Sequence, residues 1–510
     1  MTHSKNAPKE GTDHSTEGTD HPTSASRLDA WGAAIIEELA RLRQGDAPTH
    51  GGRVLSYVYD HGSDSLDALA GRAMEMARPL NGLDPLTFTS IAAMERDLLR
   101  FAVQITGGTP KKVSGSITSG GTESCLLAVG TARDLWRAEH PNDERTPRLV
   151  TTSTVHAAFQ KAARIYDMAW DPVPVRPDGS VDPQDIIVRL GDDVALVVMS
   201  SPAYPTGVID PIEQIAHHTE KRGISLHVDA CFGGLILPWW QGAPKWDFRV
   251  PGVTSLGADF HKYGYAPKGV SVLEHRGRKR HRRQFFAPTS WPAYPVVNPT
   301  FLGSKSASPL AAAWAVTSYL GEEGYAEGAT SCQRSVNALR QAVDSIEGLT
   351  VWGHPTGPAL ALIADTSVPS GRWVDPHRLA DDVTKAGFQI QHQPGYVQAD
   401  GTILPRSVHL TITPVTEKLV PELTAALISA AHNVQGKKPH QATALGRIAG
   451  WIWKNGNRRS PSTCRFLLKF AGSHERTPQK MAPLMAIIEA LPAPVAEALV
   501  TEMLAMASEP

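Results

Sequence analysis

The sequence predicts an α/β protein: a large domain with a mostly parallel sheet, a smaller α/β domain after it, and a helical C-terminal appendage. Three observations predict it. From residue 113 short β-branched runs alternate with helical stretches, the pattern of right-handed crossovers between parallel strands. An acid, Asp229, ends one of these strands and a lysine, Lys262, follows a later one. Open parallel sheets bind ligands beyond such strand ends. A Gly-rich turn at Ser119-Gly120-Gly121-Thr122 opens an apolar helical pattern.

Residues 1–27 are rich in Thr, Ser, His, Asp and Glu and nearly free of apolar residues. They have too little to bury to repay ordering, so a disordered tail is expected, and with no apolar h-region no signal peptide is expected. Residues 28–112 read as a helical segment. Leu28, Trp31, Ile35, Leu39 and Leu42 recur at three or four; a second stretch covers about Ser63–Ala77 and ends at an Asn81-Gly82 turn signal. A third, about Phe88–Thr106, puts Ile91, Met94, Leu98, Phe101 and Ile105 on one face. Residues 113–320 form the large domain. Its strands are read at 148–156, 194–200, 224–230 and 253–260, its helices at 157–168 and 211–223, and a long helix at about Pro309–Leu320 closes it. Residues 321–435 form the small domain, with strands at 350–353, 359–365, 388–392 and 407–413 and helices at 376–387 and 415–433. Residues 436–510 form the appendage. From Lys437 to Lys480 it carries a run of cations against a single acid, Glu475. That run reads as a solvated helical face or as a surface for an acidic partner or nucleic acid.

With 50 Lys and Arg against 51 Asp and Glu, the net charge is -1. That argues against nucleic acid or a membrane surface as the partner of the whole protein. Four cysteines, none in a C-x-x-C pair, exclude a disulfide scaffold and point to a reducing, cytoplasmic setting. No apolar run approaches the ~18 residues of a membrane span.

The chemistry is carried by three motifs. Lys262 lies in Ala258-Asp259-Phe260-His261-Lys262-Tyr263-Gly264. With Asp229 it can meet a ligand across one cleft. That pair suits pyridoxal phosphate: lysine forms the Schiff base and a carboxylate keeps the pyridine nitrogen protonated, so that the ring can accept electrons. The Gly120-Gly121 turn offers free backbone N–H groups and a positive helix end to a phosphate. His156, at the end of a strand, has a flat ring that can stack on the cofactor or serve a structural role.

Taken together, Ser-Gly-Gly-Thr-Glu-Ser at 119–124, His-Ala-Ala-Phe at 156–159, Gly-Val-Ile-Asp-Pro-Ile at 207–212, His-Val-Asp-Ala-Cys-Phe-Gly-Gly at 227–234 and His-Lys-Tyr-Gly-Tyr-Ala-Pro-Lys-Gly at 261–269 resemble the PLP-dependent group II decarboxylase family. Within it they are most similar to the branch of lyases that cleave phosphorylated amino alcohols. The resemblance covers about residues 50–430 and implies fold type I with a seven-stranded sheet. It implies that Lys262 carries the cofactor, that Asp229 pairs with the pyridine nitrogen, and that Ala230 packs on the ring with His156 on the opposite face. Gly121 and Thr122 would hold the cofactor phosphate, with His261 nearby. The family forms homodimers with shared sites, and Gly303-Ser304 resembles the segment that reaches the phosphate from the partner.

The substrate expected is a small-molecule amine, and two bonds are open to cleavage. Cleaving Cα–carboxylate would make the enzyme an amino-acid α-decarboxylase, and cleaving Cα–Cβ of a β-hydroxy amine a retro-aldol lyase. Aminotransferase activity or non-catalytic cofactor binding are further readings. By resemblance, Lys268 and Tyr59 match residues that serve the substrate phosphate in the lyase branch. Asp84 stands where that branch has a histidine; a carboxylate 4 Å from a phosphate would repel it by about 4 kcal/mol at an effective dielectric of ~20. Arg406 resembles an arginine that holds a substrate carboxylate in the family's decarboxylases.

Overall fold

The computed structural model describes residues 24–293, 296–440, 465 and 481–509. Most of the expected tail, and of the basic run between 441 and 480, lies outside them. Residues 1–48 make a unit of their own, within which α1 (Ser24–Leu42) exposes Trp31, Ile35, Leu39 and Leu42. It starts four residues before the periodicity does, at a serine, a residue favoured at helix starts.

The second unit begins with α2 (Asp64–Ala77), whose N-cap Ser63 accepts from the Leu66 N–H, and α3 (Thr89–Ile105), which buries Ile91, Leu98, Ala102 and Val103. The sheet domain then runs β1 (Val113–Thr118), α4 (Gly121–Glu139), β2 (Arg148–Thr152), α5 (Ala158–Ile165), β3 (Ala169–Val173), α6 (Pro183–Ile187), β4 (Val194–Ser200), α7 (Ile212–Lys221), β5 (Ser225–Asp229), β6 (Ser255–Ala258), β7 (Ser271–Arg276) and α8 (Arg278–Arg282). The seven strands lie in the order β1-β7-β6-β5-β4-β2-β3. Strands β3, β2, β4, β5 and β6 are parallel. Strand β7 is antiparallel to both β1 and β6, so the sheet is mixed. The reason is local: residues 259–270 connect β6 to β7 through turns, without the crossover helix that a parallel partner needs. Two antiparallel pairings leave β1 running the same way as β6. The C-terminal ends of β1, β2, β4, β5 and β6 therefore share one edge of the sheet.

Helix α9 (Ser308–Asp344) extends well past Leu320. It breaks at Gly321, whose φ of 56° suits a residue without a Cβ, and then resumes. A four-stranded antiparallel sheet follows, β10-β13-β9-β8, built from β8 (Leu349–Val351), β9 (Ala359–Ala364), β10 (Gln391–Gln393) and β13 (Ser407–Thr411). Between them come α10 (Pro376–Val383) and the ribbon of β11 (Tyr396–Val397) and β12 (Ile403–Leu404); α10 packs on the sheet, and α11 (Val420–Val434) packs against α10 and α9. Two helices end the chain, α12 (Ala482–Ala490) and α13 (Ala493–Ala507). Asp381 of α10 accepts from the Met481 and Ala482 amides at 2.9 and 3.2 Å, which caps α12 onto the small domain. Arg465, from the basic run, pairs with Glu502 and Glu509 of the same chain.

Candidate active site

At the shared edge, Ser200, Asp229 and Gly257 lie in register across β4, β5 and β6. Thr118 of β1 pairs with Ser271 of β7, beside Ala258 and the turn that leads to Lys262. Long-range pairing thus gathers residues 118–122, 229–231 and 258–262 at one place.

Lys262 Nζ lies 2.9 Å from Asp259 Oδ2. Burial opposes its charge, but the Asp259 carboxylate outweighs that and holds the amine well above the usual lysine range. Burial likewise opposes the Asp259 charge, and Lys262 and His261 together keep its pKa low. Both directions describe one buried ion pair. Asp259 was not singled out by sequence reasoning; its place three residues before Lys262 was the available signal. On the neighbouring strand Asp229 is buried, and its Oδ1 accepts from the Cys231 N–H at 3.1 Å. Ala230 is fully buried and donates to the Gly257 carbonyl at 3.0 Å.

The Gly-rich turn packs directly against this pair. A Cβ on Gly121 would lie 2.7 Å from Asp259 Oδ2 and 3.0 Å from Cys231 Sγ, so only glycine fits there. Gly120 faces His261, whose Cε1 would be 3.4 Å from a Cβ at that position. Thr122 is exposed in the first turn of α4, where helix amides have no partner within the helix. Two atoms beside this turn, Asp259 Oδ1 and His261 Nδ1, are buried without a hydrogen-bond partner. Glu123, also missed by sequence reasoning, ties the turn down: its carboxylate accepts from the Ser119 N–H at 2.6 Å and from the Phe301 N–H at 2.7 Å. His156 is exposed just after β2, with its Nδ1 accepting from the Ala158 N–H at 3.2 Å.

A cavity of about 170 Å³ opens beside Lys262, lined by Tyr57, Tyr59, His61, Asp67, His261 and Lys268 among others. Lys268 Nζ sits 4.6 Å from the Tyr59 ring centre and donates to the His261 carbonyl at 3.0 Å. Burial and the nearby Lys262 charge bring Lys268 down to about 8. Burial pushes Tyr59 up to about 12, so its hydroxyl stays neutral. The small domain closes over this region: the Tyr263 hydroxyl donates to the Ile412 carbonyl at 2.8 Å, and Tyr204 stacks on His409 at 4.1 Å.

Four expected residues stand elsewhere. Asp84 is exposed and is not among the residues lining the cavity. Its carboxylate accepts from the Leu86 and Thr87 amides and from the Thr87 hydroxyl, and these bonds hold its pKa low. Arg406 is engaged by Asp375 at 3.2 Å and by Glu489 of α12, and it is not among the residues lining the cavity. Gly303 is exposed, with open space where a Cβ would be, and beside it Ser304 Oγ accepts from Asn81 at 3.3 Å.

A half-buried lysine, a carboxylate on the adjacent strand and a glycine-opened helix with orphaned polar atoms beside it fit pyridoxal phosphate. Residues 65–351 match the model of the pyridoxal-dependent decarboxylase conserved domain. The chain belongs to that family. It is a pyridoxal-phosphate-dependent enzyme of the lyase type. Residues 457–506 match a C-terminal putative HTH domain of pyridoxal-dependent enzymes. Among relatives, sphingosine-1-phosphate lyase 1 of Mus musculus is 31% identical over 425 residues, 82% of this chain and 71% of that protein. The rice sphingosine-1-phosphate lyase is 31% identical over 389 residues, 74% of this chain and 69% of that one. The Burkholderia pseudomallei sphingosine-1-phosphate lyase structure superposes with a TM-score of 0.70 at 28% identity, covering 82% of this chain and 93% of that one. A Lactobacillus brevis glutamate decarboxylase shares the fold, with a TM-score of 0.68 at 18% identity, covering 83% of this chain and 96% of that one.

Proposed function

We propose that the enzyme cleaves the Cα–Cβ bond of a phosphorylated amino alcohol or related β-hydroxy amine, releasing an aldehyde and a smaller amine. The observation that carries this reading is the cavity beside Lys262, where Lys268 and Tyr59 present a cation and a neutral hydroxyl in the place that suits a phosphate. The names of the relatives agree with it, and Asp84, bonded within its own turn, does not stand against it.

The bound cofactor supplies an electron sink for the bond that breaks. Lys262 would anchor it, with Asp259 as the counter-ion beside the lysine nitrogen. Asp229 would hold the proton on the pyridine nitrogen, with Ala230 and His156 on the two ring faces. Gly121, Thr122 and His261 would hold the cofactor phosphate at the start of α4. Tyr59, neutral across the working pH range, donates a hydrogen bond without adding charge.

A homodimer completes the proposal, with Gly303 and Ser304 exposed and free to meet a partner copy. No helix among the described residues is long and apolar enough to cross a membrane. Three buried free cysteines support a reducing, cytoplasmic compartment. The test is incubation of the holoenzyme with a panel of phosphorylated amino alcohols and amino acids. Aldehyde formed from the former supports the reading; CO₂ released from amino acids, with no aldehyde, overturns it in favour of α-decarboxylation.

A further inference from the structure

Beside Asp229 lie two thiols that the reaction does not use. Cys125 sits one turn into α4, and Cys231 follows Asp229 by two residues. Both thiols and the Asp229 carboxylate are buried, and one donor atom from each lies within 4.8 Å of the other two. The two thiols therefore stand close to each other beside the carboxylate. A second observation points to a ligand. His227, two residues before Asp229, shares its face of β5. His227 Nδ1 is bonded to Ser255 Oγ at 2.9 Å, while its Nε2 is buried with no partner. That Nε2 and Cys231 Sγ border one gap, 3.7 and 3.5 Å from where a Cβ on Gly257 would lie.

We propose that Cys125, Cys231 and Asp229 bind a soft divalent cation of the Zn²⁺ class, with His227 as the fourth ligand, and that the metal competes with the cofactor through Asp229. Two thiolates, one carboxylate and one imidazole are a donor set that zinc takes, at about 2.3 Å to sulfur and 2.0–2.2 Å to oxygen and nitrogen. Tetrahedral ligands at those lengths stand about 3.3–3.8 Å apart, so Cys125, Cys231 and Asp229 must contract by at most about 1–1.5 Å, while His227, outside that 4.8 Å set, must move further to join them. The Ser255 hydroxyl on the other ring nitrogen is the kind of outer contact that orients a ligating histidine. Binding forms two metal–sulfur bonds and releases one proton from each thiol to solvent. A dication held on Asp229 repels a protonated pyridine nitrogen, which is why both cannot be accommodated. The competition rests on the cofactor placement proposed above; the metal site does not.

The experiment titrates the cofactor-free full chain with Cd²⁺, following the cadmium–thiolate charge-transfer absorption, and with Zn²⁺ by calorimetry. The expected result is one ion per chain, bound through two thiolates, with about two protons released. Cys125→Ser and Cys231→Ser, approaching the site from different elements, should each halve the cadmium band. Each should also weaken Zn²⁺ by about a hundredfold or more, since even the loss of an outer contact costs 10–100-fold. Circular dichroism of both variants separates loss of a ligand from loss of fold. The holoenzyme should bind Zn²⁺ at least tenfold more weakly than the cofactor-free chain. No thiolate band at one equivalent overturns the site, as does a band that both variants leave intact, which would belong to Cys332 or Cys464. Equal Zn²⁺ affinity with and without cofactor overturns the competition while leaving the proposed reaction standing.

Discussion

If Lys268 binds the substrate phosphate, kcat/KM for a phosphorylated substrate should fall as pH rises through about 8, the value to which burial and the Lys262 charge bring its ammonium. The sign is set by the lysine: it is charged below that pH and neutral above it. From pH 7 to pH 9 its charged fraction drops from about 0.9 to about 0.1, a tenfold loss for a group titrating near 8. The phosphate is already close to a dianion over that range, since its second pKa is about 6. His261 is held below the usual histidine range, chiefly by burial, and does not add to the slope. Lys268 is exposed by surface area although its ammonium is crowded by the Tyr59 ring and the His261 carbonyl, so the contact is partly screened and about 1–2 kcal/mol is the reasonable worth of the charge. Lys268→Met should therefore cost about 5–30-fold in kcat/KM at pH 7 and remove the alkaline limb. Lys268→Arg should keep the charge and move the limb beyond the accessible range. The assay is steady-state kinetics from pH 6.5 to 9.5, because kcat/KM reports the ionisations of the free enzyme. An alkaline limb that persists unchanged in Lys268→Met would refute the reasoning.

Three further outcomes follow from the geometry. Asp259→Asn removes the anion 2.9 Å from Lys262, so the Lys262 pKa should drop by about one to three units, read as a shift in the pH titration of the lysine–cofactor absorbance; an unmoved titration contradicts the pairing. Glu274 is buried, pushed up to about 8 by burial and by nearby Asp247, with Oε1 unpartnered. The native state therefore binds a proton that the unfolded state releases above its ordinary pKa. Stability from this group is lost as pH rises from about 4.5 to 8, and Glu274→Gln should recover up to about 3 kcal/mol at pH 7 and nothing at pH 4, measured by urea unfolding. Arg406→Met should leave KM for every substrate unchanged while releasing Glu489, and with it α12, from the small domain, seen as faster proteolysis near residue 480; a rise in KM for an amino acid would assign Arg406 the carboxylate-binding role instead.

What the sequence shows of this molecule follows the range over which its signals act. The buried parallel strands were legible because Val194–Ser200 and Ser225–Asp229 are apolar or β-branched runs between turn residues. Strands β1, β3 and β7 were not spelled out. The first carries Ser and Gly, the second Asp and Pro at the sheet edge, and the third a buried Glu274-His275 pair that periodicity reads as polar. Lys262, Asp229 and the Gly-rich turn were found because each ends or follows a strand. Asp259 and Glu123 were passed over because their partners come from chain pairing: Glu123 reaches Phe301, 178 residues away. Arg406 misled for the same reason, its partner Glu489 lying 83 residues on. Asp84 misled because a charge read in one dimension carries no orientation; its carboxylate turns back to cap its own loop.

The shape of the cavity bears on which end of a substrate it receives. A volume of about 170 Å³ is small beside the ~300–1,000 Å³ of ligand pockets in general. That accommodates a charged headgroup and not a long alkyl chain. Its polar lining is mixed: Lys268 and three histidines stand with the carboxylates of Asp60, which accepts from the Gly51 and Gly62 amides, and Asp67, whose Oδ2 lies 3.6 Å from His50 Nδ1. The Asp67 carboxylate is thereby partnered, which leaves the ammonium of Lys268, stacked on Tyr59, as the cation available to an incoming anion. A substrate whose phosphate enters here must carry its amine toward Lys262 and send any apolar chain out of the cavity. The enzyme then selects for the distance between phosphate and amine, and only weakly for the length of the chain. On that logic, the aldehyde half of the substrate is where this enzyme tolerates variation, and the amine half is where it does not.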